Sequence, residues 1–132
     1  MNNYAVSTID DQPIITAVCL EGFKLGPDMI PMLESITAIL KDAGAPYYVI
    51  FDLEHASFSM EDIIATANIA NRPDLSIAKH PSVRGMIAVS TSRVIGMALK
   101  GMNSPVFGNF SMPLFPTLDE AVVYARQQLT SG

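Results

Sequence analysis

The residues whose side chains are best suited to ligation or catalysis are Asp52, Glu54 and His55, which stand close together in the sequence. Alternate residues of a strand share one face, so the two carboxylates would lie side by side, an arrangement that permits metal ligation or acid–base chemistry. The other histidine, His80, stands beside a proline, and no second cluster of histidine, cysteine or carboxylate accompanies it. No G-x-S-x-G, Walker-type or dinucleotide-binding motif is present. We therefore predict a non-enzymatic protein with no catalytic residue, metal site or cofactor.

Hydroxyl and charged side chains also gather after two predicted strands, at residues 47–53 and 86–90. If these strands are parallel, their carboxyl ends meet at the edge where open α/β sheets bind ligands. Two predicted helix N-termini would point to the same edge and offer N–H groups to an anion. The candidate ligand- or partner-binding residues at this edge are Glu54, His55, Ser57, Ser59, Glu61, Ser90, Thr91, Ser92 and Arg93. Alternatively the hydroxyls only cap their own helices. We favour capping over chemistry, and we leave both interpretations open for binding.

A strand, a turn and a helix must position these residues. Residues 47–53 are β-branched and aromatic, and their apolar run continues to Asp52. Such a run predicts a strand covered on both faces. Ser59 offers a hydroxyl at a helix start, and the carboxylates of Glu61 and Asp62 complement the positive end of the helix dipole.

The remaining pattern predicts a mixed sheet. Residues 4–9 and 14–20 form an N-terminal β-hairpin, and Gly26-Pro27-Asp28 opens a helix that Gly44 closes. Ser90-Thr91-Ser92 and the T-x-x-E capping box at Thr117 begin two later helices. The predicted order is β-β-α-β-α-β-α-β-α, an α/β fold with about five strands and about four helices.

This order and several short sequences resemble the STAS family, the anti-sigma-factor-antagonist fold. Leu20-Glu21-Gly22 is similar to the strand end before the family's first helix, and Val49-Ile50-Phe51-Asp52-Leu53 to its central V-x-L-D-L strand. Ser57-Phe58 stands where the family often carries S-F, and Thr117-Leu118-Asp119-Glu120-Ala121 resembles the start of its last helix. The resemblance covers nearly the whole chain. It implies a STAS-like regulatory, protein-interaction domain of bacterial signalling.

The sequence departs from the family at its regulatory site. Typical members place D-S-x-G at the turn into the second helix, where a partner kinase phosphorylates the serine. An ungapped count from Asp52 puts Met60 at the aspartate position, Glu61 at the phosphoacceptor position and Ile63 at the glycine position. The acceptor serine is therefore missing, and a carboxylate stands where a phosphoserine would carry its charge. We interpret the neighbouring Ser59 as a helix cap.

The composition excludes several classes of protein. With 132 residues, 49% of them hydrophobic, the chain is long enough to bury a core as one domain over residues 1–132. A net charge of −5 argues against a nucleic-acid partner. The N-terminus does not resemble a signal peptide, and the longest apolar run is too short to span a bilayer. We therefore expect a cytoplasmic protein without a membrane span. Cys19, in an apolar run, is predicted to be a buried thiol.

Two further features bear on partners. Ten of the 13 carboxylates fall within residues 1–62. This uneven distribution indicates either a mixed surface or two poles of opposite charge that steer a charged protein partner or a head-to-tail contact. The C-terminal half also carries a group of methionine and phenylalanine residues, namely Met97, Met102, Phe107, Phe110 and Met112. Such a group is typical of core packing, self-association or an apolar pocket. We predict a protein partner. A homodimer is also plausible, and the alternative function is a carrier or sensor for an apolar or anionic small molecule.

Overall fold

The computed structural model describes residues 3–9, 12–42, 45–56, 59, 61–62, 81–102 and 112–131. These residues contain five strands and three helices. The strands are β1 (Tyr4–Thr8), β2 (Ile14–Cys19), β3 (Tyr47–Asp52), β4 (Val83–Val89) and β5 (Leu114–Phe115). The helices are α1 (Leu25–Lys41), α2 (Arg93–Met102) and α3 (Leu118–Ser131).

The strands form one mixed sheet in the order β1-β2-β3-β4-β5. β1 and β2 pair antiparallel as a hairpin, and every later neighbour pairs parallel. The predicted α/β class, the hairpin and the mixed five-stranded sheet are thereby confirmed. A fourth helix was predicted from Ser59 onward. Glu61 and Asp62 are helical, and its remainder at residues 63–70 lies outside the described residues.

One face of the sheet, here called the α1 face, is covered by large side chains of α1. Met32, Ile36 and Leu40 are almost fully buried, and their four-residue spacing places them on one side of the helix. They pack in one cluster with side chains of β2, β3 and β4, namely Ile15, Ala17, Cys19, Val49 and Met86. The predicted end of this helix at Gly44 lies outside the described residues.

The opposite face, here called the α3 face, packs against the C-terminal helix. Ala121 and Ala125 of α3 are fully buried against five large residues of the sheet: Ile14, Tyr48, Ile50, Ile87 and Val89. Adjacent residues of β3 therefore belong to different clusters, Val49 on the α1 face and Ile50 on the α3 face. This arrangement confirms that the central strand is covered on both faces.

The helix α1 begins at Leu25, just before the predicted opening at Gly26-Pro27-Asp28. The N-cap is Lys24, which makes no side-chain cap hydrogen bond. The carboxylate of Asp28 instead accepts from the Lys24 backbone N–H at 2.8 Å and from Asn3 Nδ2 at 3.3 Å. One carboxylate thus closes the first turn of the helix and ties it to the chain just before β1.

Candidate functional site

The candidate site begins at Asp52, the last residue of β3. Only 4% of Asp52 is exposed. One carboxylate oxygen, Oδ1, accepts from the backbone N–H of Glu54 at 3.1 Å, so the side chain closes the turn that follows the strand. Burial of a carboxylate requires such hydrogen bonding, because an unpaired charge in an apolar surrounding is costly. Asp52 therefore positions the turn that carries Glu54 and His55.

His55 lies beside the other oxygen of the same carboxylate. Its Nε2 is 3.9 Å from Asp52 Oδ2, and 59% of the histidine side chain is exposed against 6% for the aspartate. This separation is longer than a hydrogen bond, so the attraction depends on a protonated imidazole. Within the described ranges no group of three histidine, cysteine, aspartate or glutamate side chains is arranged to hold a metal ion. The geometry provides a buried carboxylate with an exposed histidine above it.

Ser59 and Asp62 form a reciprocal cap at the next helix start. The backbone N–H of Asp62 donates to Ser59 Oγ at 3.1 Å, and the N–H of Ser59 donates to Asp62 Oδ2 at 2.9 Å. This is the capping box, with aspartate in the place usually taken by glutamate. The hydroxyl of Ser59 is used as a cap, as the sequence indicated. Glu61, between the two, is exposed to solvent.

The end of β4 uses its hydroxyl groups in the same way. Ser90 is 5% exposed, and its Oγ accepts from the Ser92 N–H at 3.1 Å. Ser92 Oγ in turn accepts from the Ile95 N–H at 3.5 Å, which caps α2. Thr91 and Arg93 are exposed. The two serines therefore hold the turn into α2, and the neighbouring side chains face solvent.

The parallel sheet brings these two turns together. Asp52 pairs with Val89, and the N–H of Leu53 donates to the Val89 carbonyl at 2.9 Å, just where both strands end. The prediction that the residues after β3 and those after β4 meet at one sheet edge is thus confirmed. Ser57 lies outside the described residues.

A shallow groove of about 450 Å³ lies elsewhere, between the end of β5 and α3. Its lining is Phe115, Pro116, Asp119, Glu120, Val123, Tyr124 and Gln127. The rings of Phe115 and Tyr124 lie 5.1 Å apart between centroids, and 49% of Val123 is exposed. Sequence reasoning missed this groove, although a helical period places Glu120, Val123 and Gln127 on one side of α3.

The group of methionine and phenylalanine residues does not form one described surface. Met97 is 67% exposed on α2, whereas Met112 is partly buried against the α1-face cluster. The side chains of Met102, Phe107 and Phe110 lie outside what the structure describes. Within the described residues, therefore, Met97 is on the surface and Met112 contributes to packing.

Cys19 is inert in its surroundings. It is fully buried, and its Sγ lies 4.0 Å from Met32 Sδ. Burial, together with the negative charges of Asp52 and Asp28, raises the pKa of the Cys19 thiol to about 12. A thiol of this kind stays protonated at neutral pH, so the prediction of a buried structural cysteine is confirmed.

Comparison with known proteins adds no family assignment. No protein-family model matches the chain, and no curated protein matches it at a significant level. The STAS-like resemblance accordingly stays a prediction. None of the helices within the described ranges is both long and apolar enough to cross a membrane.

Proposed function

We propose that this chain is a non-enzymatic, STAS-like regulatory domain of bacterial signalling that binds a protein partner at the carboxyl ends of β3 and β4. One observation carries the proposal. Ser59, Ser90 and Ser92, which could have supported chemistry there, accept hydrogen bonds from the backbone N–H groups of their own turns. This use of the hydroxyls supports a surface built for contact rather than for reaction.

The exposed side chains among the candidate residues are mostly charged. Glu54, His55, Glu61, Thr91 and Arg93 are all exposed. Exposed charges of both signs provide orientation and selectivity toward a protein, and they contribute less to affinity itself. Glu61 takes the place of the phosphoserine of typical STAS domains and supplies a permanent, smaller negative charge. In this proposal the partner recognises that fixed charge without a phosphorylation step.

The test is partner capture followed by a binding measurement. Wild type and Glu61→Lys are immobilised and exposed to extract of the source organism, and the captured protein is then purified for titration. We expect Glu61→Lys to weaken binding by at least about tenfold, since an opposite charge replaces the recognised one.

The matched control is Glu34→Lys, because Glu34 is equally exposed but lies on α1. It makes the same change of charge and should bind as the wild type does. Equal affinities for all three proteins, each folded by circular dichroism, would contradict the proposed surface.

A small-molecule carrier or sensor is the second candidate, and the groove beside α3 favours it. Its volume of about 450 Å³ falls within the usual range for ligand sites, and aromatic and aliphatic side chains form most of its lining. Asp119 and Glu120 at its rim disfavour an anion, so an apolar ligand fits better. Mass spectrometry of an organic extract of the purified protein should then reveal a bound compound. Val123→Asp should lose it, and absence of any compound from the wild type counts against this function.

A further inference from the structure

The first strand forms an open edge of the sheet. Among the described strands, β1 lies at the end of the strand order and pairs with β2 alone. The flanking hydrogen bonds fix which residues of β1 bond to β2, because Ile9 donates to the Ile14 carbonyl and Leu20 to the Asn3 carbonyl. Hydrogen-bonded and non-hydrogen-bonded pairs alternate along an antiparallel ladder. Ala5 and Ser7 therefore bond inward, and the backbone N–H and C=O groups of Tyr4, Val6 and Thr8 point outward.

Within the part of the chain that the structure describes, β1 itself lacks the sequence features that usually protect an edge strand from pairing. Edge strands are normally blocked by proline, by charged side chains or by very short length. β1 is five residues long, Tyr-Ala-Val-Ser-Thr, with neither a proline nor a charge. The other edge differs, because β5 has only two residues, and Pro113 and Pro116 flank it. Among the described hydrogen bonds, none uses the outward groups of β1.

We propose that two copies of this chain pair through β1, antiparallel and two-fold symmetric about Val6, to form one continuous sheet. In this register Val6 faces Val6 of the second copy, and Tyr4 faces Thr8 of the second copy. Each of the three residues with outward-pointing backbone groups is then opposite a residue of the second copy whose backbone groups also point outward. Each such pair exchanges two N–H···O bonds, so the three pairs give about six hydrogen bonds.

A second copy fits this edge better than an unrelated strand, because the edge is self-complementary. The outward residues lie symmetrically about Val6, so the two-fold operation maps donors onto acceptors without a shift of register. The axis stands normal to the sheet and keeps each face continuous across the join. On the α1 face the partly buried Tyr4 and Val6 would meet neutral side chains of the second copy, with no like charges opposed.

The first experiment compares wild type, Val6→Pro and Val6→Ala by sedimentation velocity, from about 10 µM to 1 mM protein. Proline at position 6 removes only the outward N–H and leaves the bonds between β1 and β2 in place. We expect a concentration-dependent dimer for wild type and Val6→Ala, and dimerisation at least about tenfold weaker for Val6→Pro, since two central hydrogen bonds are lost. A monomeric wild type at every concentration, or an undiminished dimer of a folded Val6→Pro, would overturn the proposal.

The second experiment tests the register by cross-linking. Paired Cα atoms in an antiparallel ladder lie about 4.5 or 5.5 Å apart, within the range that a disulfide spans. Val6→Cys should therefore cross-link with itself under mild oxidation, whereas Ala5→Cys should cross-link only when mixed with Ser7→Cys. Cys19 does not compete, because it is fully buried. Self-cross-linking of Ala5→Cys as efficient as that of Val6→Cys would contradict the register.

Discussion

The α1 face and the α3 face of the sheet bury similar strand residues under very different helices. α1 contributes Met32, Ile36 and Leu40, which interdigitate with the strand side chains beneath them. α3 places two fully buried alanines, Ala121 and Ala125, at the centre of its contact. Its larger side chains are only partly buried against the same cluster, namely Leu118, Val122, Tyr124 and Leu129. The comparison shows that the side chain suited to a core position depends on the space between helix and sheet, and not on hydrophobicity alone.

The largest effect is expected on the α1 face from Ile36→Ala. Ile36 is fully buried, and removal of its side chain leaves a cavity that surrounding large residues fill only partly. The free energy of unfolding should fall by about 2–5 kcal/mol in urea denaturation. Glu34→Ala on the exposed side of the same helix should change it by less than about 0.5 kcal/mol. A loss below 1 kcal/mol for Ile36→Ala would mean that this cluster is loosely packed.

The α3 face should respond to the opposite change, Ala125→Leu. Ala125 is fully buried where helix and sheet meet, so a larger side chain forces α3 away from the sheet. We expect destabilisation of about 1–3 kcal/mol. Val123→Leu is the control, since Val123 is half exposed and can accept an extra methylene group. An Ala125→Leu variant as stable as the wild type would show that α3 does not approach the sheet closely.

The pH dependence of the free energy of unfolding probes the α1 face specifically, because the Cys19 thiol lies there. Its pKa is raised from 9.0 to about 12 in the folded protein, so the folded state retains a proton that the unfolded state loses. This contribution to stability is fully present below pH 9 and is lost as the pH rises toward 12, at about 1.4 kcal/mol per pH unit. Cys19→Ala should remove this part of the alkaline dependence. An unchanged slope in that variant would contradict the assignment to Cys19.

The smallest effect concerns how the two helices begin. Thr117 Oγ1 accepts from the Glu120 N–H at 3.2 Å and caps α3, whereas the N-cap Lys24 of α1 has no side-chain cap bond. Thr117→Ala should cost about 1 kcal/mol of unfolding free energy. Lys24→Ala should cost almost nothing, and thermal unfolding of both variants compares them directly. Equal losses of unfolding free energy in the two variants would indicate that the Thr117 hydroxyl does not stabilise the start of α3.

Much of the architecture was predictable because its causes are local. The hydroxyls of Ser59 and Ser92 mark helix starts by their position before apolar stripes, and both accept the expected backbone hydrogen bonds. The continuous apolar run of β3 predicted a strand buried on both faces, which the two clusters confirm. The meeting of the turns after β3 and β4 followed from parallel pairing alone. The first two inferences use residues within a few positions of one another, whereas the third also needed the assumption that the two strands pair in parallel.

Other features depend on residues far apart in the chain. The role of Asp28 required Asn3, 25 residues away, to be brought against the start of α1. The groove beside α3 joins the end of β5 to a helix face, and nothing in either segment alone indicates a concavity. The unprotected edge at β1 became recognisable only once the strand order was known, since no local pattern shows which strand lacks a second neighbour.

The sequence by itself determined the types of the described elements, most of their starting points and the burial of Cys19, because hydrogen-bond capping, side-chain periodicity and apolar burial act over short stretches. The tertiary structure decided which carboxylate became buried. It placed Asp52 at the buried end of β3, beside the exposed His55. It also decided that α1 fully buries large side chains against the sheet whereas α3 fully buries alanines, since the fit of one surface against another is a property of both surfaces together.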